Sequence, residues 1–269
     1  MSEAVQIEEL VSAVQQGARY RSISPALIRR IGAQELAKGR PWKEAVKATR
    51  NKLHQVGGAY QEQEPDYPTW RAELDKIDPI EEPELLRAFC RKVMQFHSST
   101  RERLPELERF YTETLASLGP IQSILDMACG LNPLALPWLP LAQDGIYYGC
   151  DIYADMVEFL NCFLTKMKRS GAVEVRDLIS SLPTQSVQLA LLLKTIPCLE
   201  QMNKSAGLAL MDGIRAEHLL VSFPARSLGG RSKGMLQNYE THFRQLIDGR
   251  SWHIQRFEFA SELAFLVSK

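Results

Sequence analysis

Apolar positions recur at helical spacing over residues 1 to about 118, then give way to short β-branched runs separated by helical stretches. Val5, Leu10, Ala13 and Val14 sit in a helix-forming run with Glu8 and Glu9 that Gly17 ends. Ser24-Pro25 supplies a cap and a proline at the first helical position, predicting a helix over Ala26 to Lys38 with Leu27, Ile28, Ile31 and Leu36 inward. Pro41 opens another, with Trp42, Ala45, Val46, Thr49 and Leu53 as its apolar face and Gly57-Gly58 as its stop. Four prolines and many acids between Tyr60 and Pro83 predict a loosely structured connector. A long helix or helix pair, interrupted near Pro105, follows from Glu84 to Leu118.

Strands are expected near Ile121–Met127, Gly145–Cys150, Ala172–Val175, Val187–Leu193, His218–Phe223, Trp252–Phe259 and Leu263–Val267. Five strands alternating with helices, then two joined by the short Ala260–Glu262 link, predict a parallel sheet ending in an antiparallel hairpin. The fold class is therefore α/β, with a strand pattern that resembles Rossmann-like methyltransferases over residues 96–269 and an all-helical domain over 1–95.

The turn after the first strand carries the densest chemical signal. Ile121 to Pro133 is an apolar run ending in Asp126, then Ala128, Cys129 and Gly130, with Asp151 about 20 residues further on. A glycine turn lets backbone approach a ligand, and an acid ending the second strand can accept ribose hydroxyls. The dinucleotide pattern G-x-G-x-x-G is missing, which favours a nucleoside without phosphates, S-adenosylmethionine being the common one. An ordinary strand-to-loop turn is the competing reading. Asp177 follows the third strand and can accept from an adenine amino group beside the Leu178 amide. Lys194 ends the fourth strand. Together these groups fall on the carboxyl edge of the sheet, where open α/β sheets bind ligands. Upstream, His97 to Leu104 is densely polar: an arginine there suits a cofactor carboxylate, or Ser99 or Thr100 with Glu102 forms a capping box.

Charge and cysteines refine the picture. Net charge is zero, yet between Arg19 and His54 ten basic residues face two acids, and between Gln61 and Glu84 nine acids face two bases. Lys43, Lys47, Arg50 and His54 align on one helical stripe, near Arg29, Arg30 and Lys52. The block reads either as a phosphate-tracking surface or as a solvated face neutralised by the acidic segment. A glycine-rich loop with Arg226, Arg231 and Lys233 follows the Val221–Pro224 strand end and can order on a phosphate backbone. Five cysteines without a Cys-x-x-Cys pair, an acidic N-terminus without a signal core and no long apolar run predict a reduced, cytoplasmic protein with no metal and no membrane span.

Several blocks resemble the aminoglycoside-resistance 16S rRNA (guanine-N7) methyltransferases of the Arm/Rmt type. They are His-x-Ser-Thr-x-Glu-Arg (His97 to Arg103), Asp-x-Ala-Cys-Gly-Leu-Asn-Pro-Leu-Ala (Asp126 to Ala135), Cys-Asp-Ile (Cys150 to Ile152) and Ser-Phe-Pro-x-Arg-Ser-Leu-Gly-Gly-Arg-x-Lys-Gly-Met (Ser222 to Met235). Lys52 to Tyr60 adds a fifth. The resemblance implies methyl transfer from S-adenosylmethionine to N7 of guanine 1405 within the assembled 30S subunit, by a monomer whose helical domain docks on the ribosome. Cofactor contacts implied by the matching blocks and the strand ends are His97, Arg103, Asp126, Ala128, Gly130, Asp151, Ile152, Asp177, Leu178 and Lys194, with Arg103 on the carboxylate. Lys194, Phe223, Met235 and Asn238 are expected at the target base, with no general base. Methylation of another rRNA base or of a small molecule, or a non-catalytic RNA-binding protein, are the alternatives.

Overall fold

The computed structural model describes residues 3–60, 63–225 and 234–269. Seven strands form one sheet: β1 (Ile121–Met127), β2 (Leu141–Asp151), β3 (Ser170–Val175), β4 (Val187–Leu193), β5 (Ala216–Pro224), β6 (His253–Glu258) and β7 (Glu262–Ser268). Their order is β3-β2-β1-β4-β5-β7-β6. The first five pair in parallel, while β7 inserts between β5 and β6 and is antiparallel to both. The expected closing hairpin is thus present, and its returning strand completes the sheet against β5. Buried runs such as Leu189 to Leu193 explain why β4 reads as continuously apolar: helices cover both faces of a parallel sheet.

The helical segment contains α1 (Glu3–Gln15), α2 (Pro25–Leu36), α3 (Trp42–Val56), α4 (Tyr67–Asp75) and α5 (Pro83–Met94). The loose connector expected over 60–83 is corrected, because α4 lies inside it with Trp70 and Leu74 buried. Its acid and proline are start signals: Asp66 Oδ1 accepts from the Thr69 amide at 3.1 Å, and Pro68 occupies the first turn. Trp70 and Tyr67 then pack on Phe159 of α8 (Ala154–Lys166), at 5.8 and 5.5 Å between ring centroids. The region after Glu84 breaks into α5, α6 (Ser98–Arg103) and α7 (Leu107–Thr114), with a 3-10 turn at Leu104–Glu106 around Pro105.

One hydrophobic core runs from Leu10, Leu27 and Leu53 of the helical segment through Phe89 and Met94 to Ile124, Tyr147 and Leu266 of the sheet. Backbone also ties the two parts: Ser24 N donates to Ile152 O at 2.8 Å and Ala154 N to Ser22 O at 2.7 Å. The helical segment is therefore packed directly over the loop that follows β2. That is where the ligand edge of the sheet lies.

All five cysteines are free thiols. Among the described residues there is no cluster suited to a metal and no helix long and apolar enough to cross a membrane.

Candidate cofactor and nucleotide site

The turn after β1 carries two left-handed residues, Ala128 and Gly130, each at φ 51°. At Gly130 a side chain has no room: a Cβ there would lie 2.7 Å from Cε1 of His97. The Gly130 amide donates to Asp151 Oδ2 at 2.8 Å, and the Ile152 amide to Oδ1 at 2.6 Å. Burial pushes the Asp151 carboxyl up, against the pull of these amides. The acid is thereby fixed at the end of β2 with acceptor capacity to spare.

Asp126 lies beneath this turn. It is 1% exposed, and its Oδ2 accepts from Asn132 Nδ2 at 2.8 Å and from the Tyr147 hydroxyl at 2.6 Å. Burial raises its carboxyl to about 7 although both donors oppose the shift. Its position makes it an anchor for the turn rather than a wall of the cleft.

Arg103 is 1% exposed, and its Nε and Nη2 donate to the two oxygens of Glu262 at 2.6 and 2.9 Å. Nη1 donates to Asn132 Oδ1 at 3.0 Å, and the guanidinium lies over the Phe110 ring. Arg103 is thus held in a buried ion pair inside the fold. Glu262 reaches it from β7, far along the chain.

A cleft partly open to solvent runs along the carboxyl edge. Of the expected cofactor residues its wall includes His97, Ala128, Asp151, Ile152, Asp177, Leu178 and Lys194. Arg103, Asp126 and Gly130 stand behind that wall. Burial lowers His97 to about 4, so its ring is neutral at pH 7, and Nδ1 has no partner among the described residues.

The helical segment contributes part of the wall. Leu27, Gly57 and Tyr60 line the cleft, with the Tyr60 ring stacked on His97 at 5.9 Å and its hydroxyl 2.8 Å from Cys198 Sγ. Sequence reasoning placed Tyr60 only inside a family-like block, and Cys198 carried no signal beyond a small apolar position. Arg30, expected at RNA, instead pairs with Asp177 through Nε at 2.6 Å and Nη2 at 3.2 Å. The Ser180 hydroxyl and the Ile179 amide fill the remaining acceptor positions of Asp177.

Lys194 follows β4 in the left-handed region (φ 59°, ψ 17°), held by its amide donating to Ser222 O at 3.0 Å. Its ammonium donates to Glu102 Oε2 at 2.6 Å. Thr195 Oγ1 donates to Met127 O at 2.8 Å, pinning the loops after β1 and β4 together.

The expected base contacts divide. Phe223 is fully buried and stacks on Tyr239 at 5.1 Å, with Phe243 and Phe265 around it, so it is core and cannot stack on a nucleotide. Met235 and Asn238 open the helix Met235–Leu246, half-buried and exposed respectively, and neither lines the cleft. Arg226, Arg231 and Lys233 lie outside the described residues. On the basic stripe Lys43, Lys47 and His54 are exposed. Arg50 Nη2 donates to Ala13 O at 2.5 Å, Arg29 pairs with Glu8, and Lys52 pairs with the buried Glu35. The stripe is thus narrower than its spacing suggested, because acids from other helices take up part of it.

Comparison with known proteins accords with this geometry. The family model described as "Ribosomal RNA methyltransferase (FmrO)" matches residues 16–266. The 16S rRNA (guanine(1405)-N(7))-methyltransferase of Micromonospora echinospora is 36% identical over 265 residues, covering 98% of this chain and 97% of that protein. The enzyme of that name from Frankia casuarinae is 36% identical over 271 residues, covering 100% and 95%. Among solved structures, the 16S rRNA methyltransferase RmtF in complex with S-adenosyl-L-homocysteine superposes with a TM-score of 0.84 at 29% identity, covering 100% of this chain and 99% of that one. The 16S rRNA methylase RmtB gives 0.81 at 27% identity, covering 98% of each. With a cofactor-type cleft on the ligand edge and a family match across nearly its whole length, the chain belongs to the FmrO family of ribosomal RNA methyltransferases.

Proposed function

We propose that this chain transfers the methyl group of S-adenosylmethionine to N7 of guanine 1405 of 16S rRNA, within the assembled 30S subunit and as a monomer in the cytoplasm. The observation that carries the reading is the cleft itself: a left-handed glycine turn under His97 and a ribose-type acid clamped by two amides, in a chain matching guanine-1405 enzymes end to end. Methylation at that position gives resistance to aminoglycosides, the outcome the sequence resemblance implied.

The residues fit the cofactor at its ribose end, where Asp151 keeps free acceptor capacity beside the backbone of Ala128. At the adenine end Leu178 and the apolar side chains of Leu27, Leu199 and Met202 form the wall, and Asp177 accepts the amino group as Arg30 yields it. When bound, S-adenosylmethionine supplies an electrophilic methyl on its sulfonium. Guanine N7 carries an in-plane lone pair and no proton, so the chain needs no general base. Its task is to orient the base and exclude water, which makes positioning most of the catalysis. N7 lies on the deep, narrow major-groove edge of folded RNA, so the nucleotide is extruded into the cleft. Lys43, Lys47 and His54, with Arg226, Arg231 and Lys233, supply the phosphate contacts.

Labelled-methyl transfer to unmodified bacterial small subunits tests the reading, followed by borohydride–aniline cleavage and primer extension. A stop at guanine 1405 is the expected result. Transfer with a stop elsewhere moves the target to another rRNA base. No transfer to subunits, with cofactor binding intact, favours a small-molecule substrate.

A further inference from the structure

Glu102 has a side chain that neither its own helix nor the buried core explains. On α6, whose N-cap is His97, the capping-box position falls on Thr100 and not on Glu102, and no side chain caps that helix. Its carboxylate instead accepts from Lys194 Nζ at 2.6 Å, across 92 residues of sequence. The two partners are unequal: the Lys194 side chain is 5% exposed and lines the cleft, whereas Glu102 is 35% exposed and stands outside the cleft wall. Lys194 is also one of three non-glycine residues with positive φ among the described residues, a conformation that persists only where surrounding contacts impose it. Here the Ser222 carbonyl and hydroxyl impose it, by accepting from the Lys194 amide at 3.0 and 3.2 Å. Moving outward from the cleft, the order is therefore donor, then acceptor.

We infer that Lys194 and Glu102 together read the Watson–Crick edge of the target guanine, with Glu102 as the specificity-determining residue. This rests on the guanine substrate proposed above. Guanine presents, outward from N7, the O6 acceptor and then the N1–H and N2–H donors. A base held with N7 in the cleft sets O6 against the Lys194 ammonium and N1–H and N2–H against the Glu102 carboxylate. Adenine presents an amino donor and then the N1 acceptor, which sets donor on donor and acceptor on acceptor. Flipped bases are read by hydrogen bonds to this edge, and mispaired buried polar groups are what make such a reader selective. Methylation at N7 leaves the edge untouched, so recognition and chemistry use different atoms.

The test is Glu102→Ala and Glu102→Asp in the full chain, assayed for S-adenosylhomocysteine binding by calorimetry and for methyl transfer to unmodified small subunits. For Glu102→Ala the expected result is transfer at saturating cofactor and subunit lowered by at least about tenfold, with cofactor affinity within about twofold. Glu102→Asp, which keeps the carboxylate, recovers part of the rate. Transfer by Glu102→Ala at the wild-type rate overturns the assignment. So does parallel loss of cofactor binding, which would make Glu102 a support of the cofactor cleft, and so does a Glu102→Asp variant as slow as Glu102→Ala. If the wild-type chain transfers no methyl to guanine 1405, the proposed function fails and this assignment with it.

Discussion

Replacing Glu262 by Gln removes one charge from the most deeply buried ion pair among the described residues and leaves its partner in place. Arg103 and Glu262 are 1% and 0% exposed, and Glu262 also accepts from the Ser222 hydroxyl at 2.6 Å. Water cannot replace the lost counter-charge, and Arg103 stays ionised because its guanidinium lies well above any accessible pH. Breaking such a pair from one side costs about 3–5 kcal/mol. With a urea slope of roughly 2–3 kcal/mol/M, the unfolding midpoint falls by about 1–2.5 M. Glu8→Gln serves as the comparison. Its pair with Arg29 is 45% and 58% exposed, and solvent screening leaves such a pair little weight in stability. Urea denaturation followed by tryptophan fluorescence reads both variants. The double variant Arg103→Met with Glu262→Leu is expected to recover most of the loss, since an apolar pair removes both desolvation costs. A Glu262→Gln midpoint no lower than that of Glu8→Gln would refute the reasoning. The wild-type pair also sets an acid limit. Burial pushes the Glu262 carboxyl up, but Arg103, Lys194 and Ser222 outweigh it and hold it below the usual glutamate range. Its contribution is present above the unfolded glutamate pKa and is lost as pH falls through the lowered folded value.

Asp126 titrates with the opposite sign. Its folded value of about 7 exceeds the unfolded one, so its contribution is full below the unfolded pKa and is lost as pH rises through 7. Asp126→Asn keeps one oxygen for Asn132 and Tyr147, and should flatten the urea-midpoint profile between about pH 4 and 7; parallel profiles would count against the buried-acid account. Gly130→Ala drives a methyl to 2.7 Å from the His97 ring at φ 51°, and calorimetry should show S-adenosylhomocysteine affinity reduced at least about tenfold. Unchanged affinity would place the turn away from the ligand. Arg30→Ala frees the saturated carboxylate of Asp177 and should tighten S-adenosylhomocysteine binding several-fold, whereas weaker binding would show that Arg30 supports the acid instead of occupying it.

Much of the fold was legible because its signals are local. The runs at Ile121–Met127 and Val187–Leu193 are strands with those bounds, and Pro25 opens α2 because both ends of such elements are set by neighbouring residues. The stretch around α4 was misread for a related reason: Asp66 and Pro68 mark a helix start as well as a loop, and only Trp70 and Leu74 meeting Phe159 decide between them. The turn residues Ala128 and Gly130 and the acids Asp151 and Asp177 were visible because strand ends fix where they point.

What the sequence by itself determined is the order of elements, the edge of the sheet that carries the chemistry and the acids along it. Only the tertiary structure decided the pairing of charges. Arg103 belongs to Glu262, Arg30 to Asp177, Lys194 to Glu102 and Lys52 to Glu35. The physical reason is range. Periodicity and capping are fixed by residues a few positions apart, whereas a guanidinium takes whichever carboxylate the packed core brings within hydrogen-bond distance, and that partner leaves no mark in the sequence around it.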